Sequence, residues 1–323
     1  MSIVASTLVV RVARKAKEAR DICSFELVAT ENGTLPAFSA GSHVDVHLLG
    51  GLVRQYSLCN DPSETHRYAI AVLRDPASRG GSLAMHDVVK EGDTLTISAP
   101  KNHFTLAHDA KTSLLLAGGI GITPILCMAE RLAKLGDEFT LHYTARARDR
   151  MAFIDRVQRS SFADKVVLHF DDGAAEQRLD INAVLSGAKT GTHLYVCGPK
   201  GFMDAVLNSA RAHGWPEAQL HWEFFAADIT ARAGDRPFEV QIASSGHVID
   251  VPADQTVVQA LLRAGVDVMV SCEQGVCGTC VTRVLHGEVD HRDVYFTSEE
   301  QERNDQFTPC CSRAKSSRLV LDL

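Results

Sequence analysis

Short alternations of apolar and polar residues run through the first hundred positions. Ser24-Phe-Glu-Leu-Val, His43-Val-Asp-Val-His-Leu-Leu, Tyr68-Ala-Ile-Ala-Val-Leu and Thr94-Leu-Thr-Ile each send every second side chain to one face, with Gly and Pro between them. Evenly spaced short strands of this kind predict a small antiparallel β-barrel over residues 1–105. The opening run Met1–Ala13 reads as a first strand, because Arg11 interrupts it before it could form a signal-peptide core or span a bilayer.

From about residue 112 the period changes. Ser113-Leu-Leu-Leu-Ala is a buried strand, glycines follow, and Pro124 to Leu135 has helical apolar spacing. Strands at Phe139–Tyr143, Val166–Phe170 and His193–Val196 alternate with helices, which predicts a parallel α/β sheet over residues 106–228. The polar, turn-prone run Asp228–Pro237 contains a linker at 229–237. Beyond it, Phe238–Ala243 and His247–Val251 form a hairpin and Val257–Ala264 a helix, so residues 238–323 read as an α+β domain. No internal repeat or low-complexity tract interrupts this three-part order.

Charge is unevenly spread. Residues 238–323 hold 13 Asp and Glu against 7 Lys and Arg, so nearly all of the formal charge of −7 sits there. That disfavours nucleic-acid binding and leaves two readings of equal weight, plain solubility or docking onto a basic partner. Nine cysteines show no disulfide-framework spacing, and the chain is expected in a reducing cytoplasm. No membrane association is expected, and a monomer is, since nothing in the chain demands a dimer.

The chemistry of the last domain lies in Cys272-Glu-Gln-Gly-Val-Cys277-Gly-Thr-Cys280 and a distant Cys310. C-x4-C-x2-C with a remote fourth thiolate is the plant-type spacing for a [2Fe-2S] cluster. A zinc site is the weaker alternative, because zinc favours paired knuckles and only Cys277 and Cys280 form one. Cys311 could replace Cys310; neighbouring side chains diverge, and Cys310 is taken as the ligand. Glu273 and Gln274, between ligands, are candidates for the surface where electrons leave.

Two glycine turns mark the middle domain. Gly118-Gly119-Ile-Gly121-Ile-Thr123-Pro124 joins a buried strand to a helix, where backbone N–H groups can meet a diphosphate. It is not G-x-G-x-x-G, since Pro124 takes the last place and suits a first helical turn. Cys197-Gly198-Pro199 ends a later strand and opens another helix, so two turns at strand C-termini would frame one crevice. Cys197 there either touches a nicotinamide or is packing. In the barrel, Arg54-Gln-Tyr56-Ser57-Leu58 and Ser78-Arg79-Gly80-Gly81-Ser82 offer guanidinium, hydroxyl and backbone donors for a phosphate, and an aromatic face for a heterocycle.

Taken together and in this order, these motifs resemble the phthalate dioxygenase reductase family, to which vanillate O-demethylase reductases are similar. The resemblance covers essentially the whole chain; Asn60-Asp-Pro, His291-Arg-Asp293 and Cys310-Cys-Ser-Arg-Ala-Lys also fit that branch. It implies a ferredoxin-reductase-type flavin barrel, an NAD domain and a C-terminal β-grasp ferredoxin domain. It also implies FMN, NADH and a Rieske-type terminal oxygenase as electron acceptor. By motif, Arg54, Tyr56, Ser57, Leu58, Arg79, Gly80, Gly81, Ser82, Thr123 and Phe225 would contact FMN. Gly119, Gly121, Cys197, Gly198 and Pro199 would line the NADH crevice, and Ser57, Thr123, Cys197 and Phe225 would stand at the reacting centre. Arg146, Arg148 and Arg150 would suit a 2'-phosphate; Asp171 and Asp172 argue the other way.

The parts define a chemistry. NADH gives two electrons together and the cluster accepts one, so a flavin must stand between them, and catalysis is mainly positioning. The expected function is a reductase serving an oxygenase that acts on an aromatic acid. A stand-alone reductase of ferric or small acceptors, and a non-enzymatic iron–sulfur sensor, are the alternatives.

Overall fold

The computed structural model describes residues 7–31, 33–76, 80–225 and 234–323. They fall into two compact units that meet at Glu223 and Phe224, the barrel and the α/β sheet sharing the first.

The barrel is made of β1 (Thr7–Ala19), β2 (Ile22–Ala29), β3 (Ser42–His47), β4 (Val53–Ser57), β5 (Tyr68–Leu73), β6 (Thr94–Ser98) and the short β7 (Lys101–Asn102), with helix α1 (Gly81–Asp87) after β5. All pairings are antiparallel, in the order β4-β3-β6-β1-β2-β5, with β7 on β3. A bridge between Leu58 and Ile70 brings the β4 end of the sheet back to β5 and closes the barrel. Alternation does the sorting: Val10 and Val12 are fully buried while Arg11 between them is exposed. Register shifts between Val12 and Arg14 and between Lys17 and Ala19 let the long β1 bend.

The middle section carries β8 (Thr112–Gly118), α2 (Ile122–Leu135), β9 (Phe139–Ala145), α3 (Ile154–Gln158), β10 (Val166–Phe170), α4 (Ile181–Ser186), β11 (Thr192–Cys197), α5 (Lys200–Ala212) and β12 (Leu220–Glu223). The strands are parallel in the order β10-β9-β8-β11-β12. β8 is buried from Ser113 to Gly118 and β11 along its whole length, as the unbroken apolar runs require. α2 begins two residues before the helix read from the sequence, because Pro124 sits comfortably in a first turn; it stops at Gly136, where φ is 76°.

The second unit has β13 (Phe238–Ile242), β14 (Val248–Val251), α6 (Val257–Arg263), β15 (Thr282–His286), β16 (Val289–Asp290), α7 (Ser298–Arg303), β17 (Gln306–Phe307), β18 (Arg313–Ala314) and β19 (Arg318–Leu321). The sheet order is β14-β13-β19-β15-β17, with β13 and β19 parallel and a separate β16-β18 ribbon. Val257 and Leu261 of α6 join Val240, Val251 and Leu319 in the core, and a capping box between Thr256 and Gln259 starts the helix. Buried Arg292 holds Asp235 through both Nη1, at 2.9 Å, and Nη2, and gives Nε to Asp290 at 2.7 Å. Arg313 Nη2 donates to the Arg236 carbonyl. The last residues of the expected 229–237 linker are thus bound to this unit; residues 229–233 lie outside the described residues.

Candidate functional site

Around the cysteine loop the chain turns three times through the left-handed region, at Glu273 (φ 52°), Gly275 (φ 70°) and Gly278 (φ 70°). The last favours glycine on two counts: its φ is left-handed, and a Cβ there would lie 2.2 Å from Cζ of Tyr295, whose ring stands over the loop and is 47 % exposed. The fold back over α6 is fixed where Val258 N donates to the Pro309 carbonyl at 3.1 Å, which brings Cys310 and Cys311 against Cys280 and Val258.

The thiols lie in contact. Cys272 and Cys277 are within hydrogen-bonding reach of each other, and Cys310 is within reach of both Cys280 and Cys311. Among the described residues no three His, Cys, Asp or Glu side chains converge as a site for a single ion. Cys272 with Cys277, and Cys280 with Cys310, are the two pairs that a two-iron cluster asks for, two thiolates per iron, and the donors fit it. Gln274 N donates to Cys272 Sγ at 3.2 Å, and Thr279 Oγ1 lies 3.2 Å from Cys277 Sγ. Contacts with Cys272 and Thr279 hold the Cys277 thiol well below the ordinary range, which favours the thiolate. Cys311 is turned toward hydroxyls, its Sγ 3.1 Å from Thr308 Oγ1 and 3.8 Å from Ser312 Oγ. Glu273 and Gln274 are half-buried in the loop.

In the first unit the two glycine turns touch through their backbones. A Cβ on Gly121 would meet the Cys197 carbonyl oxygen at 2.2 Å, and one on Gly198 would lie 3.0 Å from the Gly118 Cα. Gly119 takes φ 54°, and Thr123 Oγ1 donates to the Ile120 carbonyl at 3.1 Å, tightening the turn at the head of α2. Pro199 precedes α5. The C-terminal ends of β8 and β11 therefore present one crevice floor made of main chain, the place where open α/β sheets take ligands.

On the barrel, Arg54 is buried with Nη1 donating to the Val53 carbonyl at 2.7 Å, and its stem lies across Gly81, where a Cβ would come within 2.5 Å of Cγ. Gly80 is left-handed at φ 91°, and Ser82 Oγ accepts from Asp75 N at 3.1 Å. Tyr56 is half-buried, its phenol pushed up by burial, and Leu58 is fully buried. Ser78 and Arg79 lie outside the described residues. Phe225, two residues past β12, is half-buried.

One residue was missed by sequence reading. Ser57 Oγ donates to Glu223 Oε2 at 3.0 Å, and Glu223 stands opposite Cys197 in the β11–β12 register. Burial raises the Glu223 carboxyl to about 7, with the Ser57 hydrogen bond opposing. Cys197 is fully buried, and burial, then the nearby Glu223 charge, push its thiol well up, so it is a neutral group. The available signal was an acid at the C-terminal end of the sheet's last strand. Of the arginines that could suit a 2'-phosphate, Arg150 pairs with Asp21 at 3.6 Å, while Thr144 Oγ1 donates to Asp171 at 3.4 Å.

Residues 240–315 match the family described as the 2Fe-2S iron-sulfur cluster binding domain, and residues 97–220 match the N-terminal domain of dimethylamine monooxygenase subunit DmmA-like proteins. The chain is 58 % identical over 307 residues to a vanillate O-demethylase oxidoreductase of Pseudomonas putida, covering 95 % of this chain and 96 % of the relative. It is 41 % identical over 314 residues to a phthalate dioxygenase reductase of Burkholderia cepacia, covering 97 % and 96 %. Among solved structures it resembles a phthalate dioxygenase reductase, described as a modular structure for electron transfer from pyridine nucleotides to [2Fe-2S]. There the TM-score is 0.81 at 41 % identity, and each chain is 98 % covered.

Proposed function

The chain belongs to the family of phthalate dioxygenase reductases and vanillate O-demethylase oxidoreductases, and from that premise we propose how its residues divide the work. It is an NADH-dependent iron–sulfur flavoprotein oxidoreductase, the reductase component that supplies electrons to a terminal oxygenase. In our reading residues 1–105 hold FMN, residues 106–228 hold NADH, and residues 238–323, after a linker at 229–237, hold the cluster. When bound, FMN takes electrons in pairs from the nicotinamide and releases them singly to the [2Fe-2S] centre.

Arg54, Tyr56 and Ser57 are the barrel side chains suited to the flavin, with Arg79, the Gly80–Ser82 turn, Leu58, Thr123 and Phe225 completing the set. The main-chain floor at Gly119, Gly121, Cys197, Gly198 and Pro199 lets a dinucleotide come close without meeting a Cβ. Neutral Cys197 adds no charge there. Glu223 can hold a proton on its carboxyl while Oε2 accepts from Ser57 Oγ, so the protonation state of the buried acid bears on how that hydroxyl is held. Cys272 with Cys277, and Cys280 with Cys310, are the proposed iron ligands. Thr308 and Ser312 keep Cys311 off the cluster.

We take the acceptor to be a Rieske-type oxygenase acting on an aromatic acid, met in the cytoplasm by a monomer of this chain. No helix among the described residues is long and apolar enough to cross a membrane. The observation that carries the reading is the pairing of four thiols two by two in the second unit of a chain whose first unit brings two glycine turns together. Anaerobic NADH titration of the purified protein tests it: flavin and cluster absorbance should bleach together, and acid extraction should release FMN. A cluster that stays oxidised while the flavin bleaches would refute the internal chain.

A further inference from the structure

The first unit has a second cleft, of about 520 Å³, at the far end of β8 from the glycine turn. Its walls are the barrel loop at Phe38–Ala40, the connecting segment from Thr105 to Lys111, and the last turn of α2 with the residues leading into β9. β8 is seven residues long, which separates this cleft from the nucleotide crevice by about 20 Å. A cleft of this size is in the range of small-molecule sites, roughly 300–1,000 Å³.

Charge decides what it would take. α2 carries three charged residues, two of them spoken for: Glu130 accepts from Arg156 at 2.9 Å, and Lys134 meets Asp61 at 3.2 Å. Arg131 lines the cleft half-buried, with no side-chain hydrogen bond or ion pair among the described residues. Lys111, in the facing wall, is exposed and likewise has no side-chain hydrogen bond or ion pair among the described residues. A partly desolvated guanidinium with no counter-charge is unfavourable, and an anion between the two cations relieves it. Two acids, Asp137 and Glu138, share the lining; both are exposed, and Glu138 lies 3.6 Å from Lys165. Buried Ser113 adds a hydroxyl to the same wall.

The apolar part of the lining is Phe38, Pro62, Leu106, Leu132 and Leu135, set among the polar Ser39, Ser63, Asn102, Thr105 and His108. Bare phosphate would leave those side chains facing water, whereas a flat ring covers them. We infer that this cleft is a binding site for a small aromatic carboxylate, with the carboxylate between Arg131 and Lys111 and the ring against Phe38, Leu106 and Leu132. The site is separate from the nucleotide crevice and sits where the connecting segment joins barrel to sheet; Ala107 N of that segment donates to Tyr195 Oη at 2.8 Å.

Calorimetric titration of the holoprotein with benzoate, with NAD⁺ saturating so that the nucleotide crevice is filled, tests the inference. One saturable site with Kd of ~1 mM or tighter is expected, with inorganic phosphate at least ten times weaker. Arg131→Gln should weaken benzoate at least tenfold while flavin content and melting temperature stay as in the parent. Lys111→Glu, at an exposed position, provides the same test if Arg131→Gln does not fold. Absence of saturable binding, binding unchanged by both substitutions, or loss of binding when NAD⁺ is present would overturn the site. Phosphate binding as tightly as benzoate would overturn the aromatic ligand.

Discussion

Ser57 and Glu223 are 166 positions apart in the chain and share a hydrogen bond of 3.0 Å between Oγ and Oε2. One residue ends a barrel strand and the other the last strand of the parallel sheet, so the bond ties the two halves of the reductase unit together at the nucleotide crevice. The buried carboxyl there has a protonation state that matters both for stability and for rate.

Stability should fall as pH rises from 4.5 toward 7. The Glu223 carboxyl is raised from 4.5 to about 7 by burial. In that window the unfolded chain has already released the proton that the folded chain keeps, so each step up in pH favours unfolding; the contribution is whole below the window and gone above it. The shift corresponds to ~3 kcal/mol. Urea denaturation at pH 5 and pH 7.5 should show this slope in the parent protein and lose it in Glu223→Gln.

The same substitution should slow NADH-driven flavin bleaching about tenfold by changing the hydrogen bond that positions Ser57, with flavin and cluster contents unchanged. Stopped-flow absorbance measures it. A rate within twofold of the parent would remove Glu223 from the reacting centre.

Cys310→Ser should lose the cluster and Cys311→Ser should keep it, because the Cys310 thiol reaches Cys280, whereas Cys311, though also in reach of Cys310, bonds the hydroxyls of Thr308 and Ser312. Cys277→Ser should likewise end reduction of iron-protein acceptors while NADH still bleaches the flavin. Iron analysis and visible spectra decide between the two adjacent cysteines.

Gly121→Ala should push the two glycine turns apart, since its new methyl would overlap the Cys197 carbonyl at 2.2 Å. The expected cost is ~1–3 kcal/mol of stability, together with a KM for NADH raised about tenfold. Thermal melts and steady-state kinetics with a small-molecule acceptor provide both readings; an unchanged KM would mean that the crevice floor tolerates opening.

Gly278→Ala should prevent cluster insertion while leaving the first unit folded, because φ is 70° and the Tyr295 ring fills the space a methyl would need. Protein that purifies with flavin absorbance and a normal iron content would contradict this.

What could be read from the sequence was what is local. The cysteine spacing, the strand–glycine–helix turns and the period change near residue 112 each depend on residues within one loop or one strand; β8 begins at Thr112, and a helix follows each glycine turn. Glu223 escaped because its burial comes from β4, which lies far away in sequence, and nothing in His221-Trp-Glu-Phe-Phe tells a buried acid from a surface one. The same holds for Arg292, whose two acidic partners come from different segments, and for Arg131, which looks like an ordinary helix-surface cation until its neighbours are known.

The contact of Gly118 and Gly121 with Cys197 and Gly198 has an evolutionary consequence. A crevice floor built from peptide groups has no side chain for mutation to exchange, so drift in relatives must act on the rim and on the outer faces of the units. Changes of electron acceptor or nucleotide preference can then accumulate without disturbing the floor, and one scaffold can be refitted to many oxygenases.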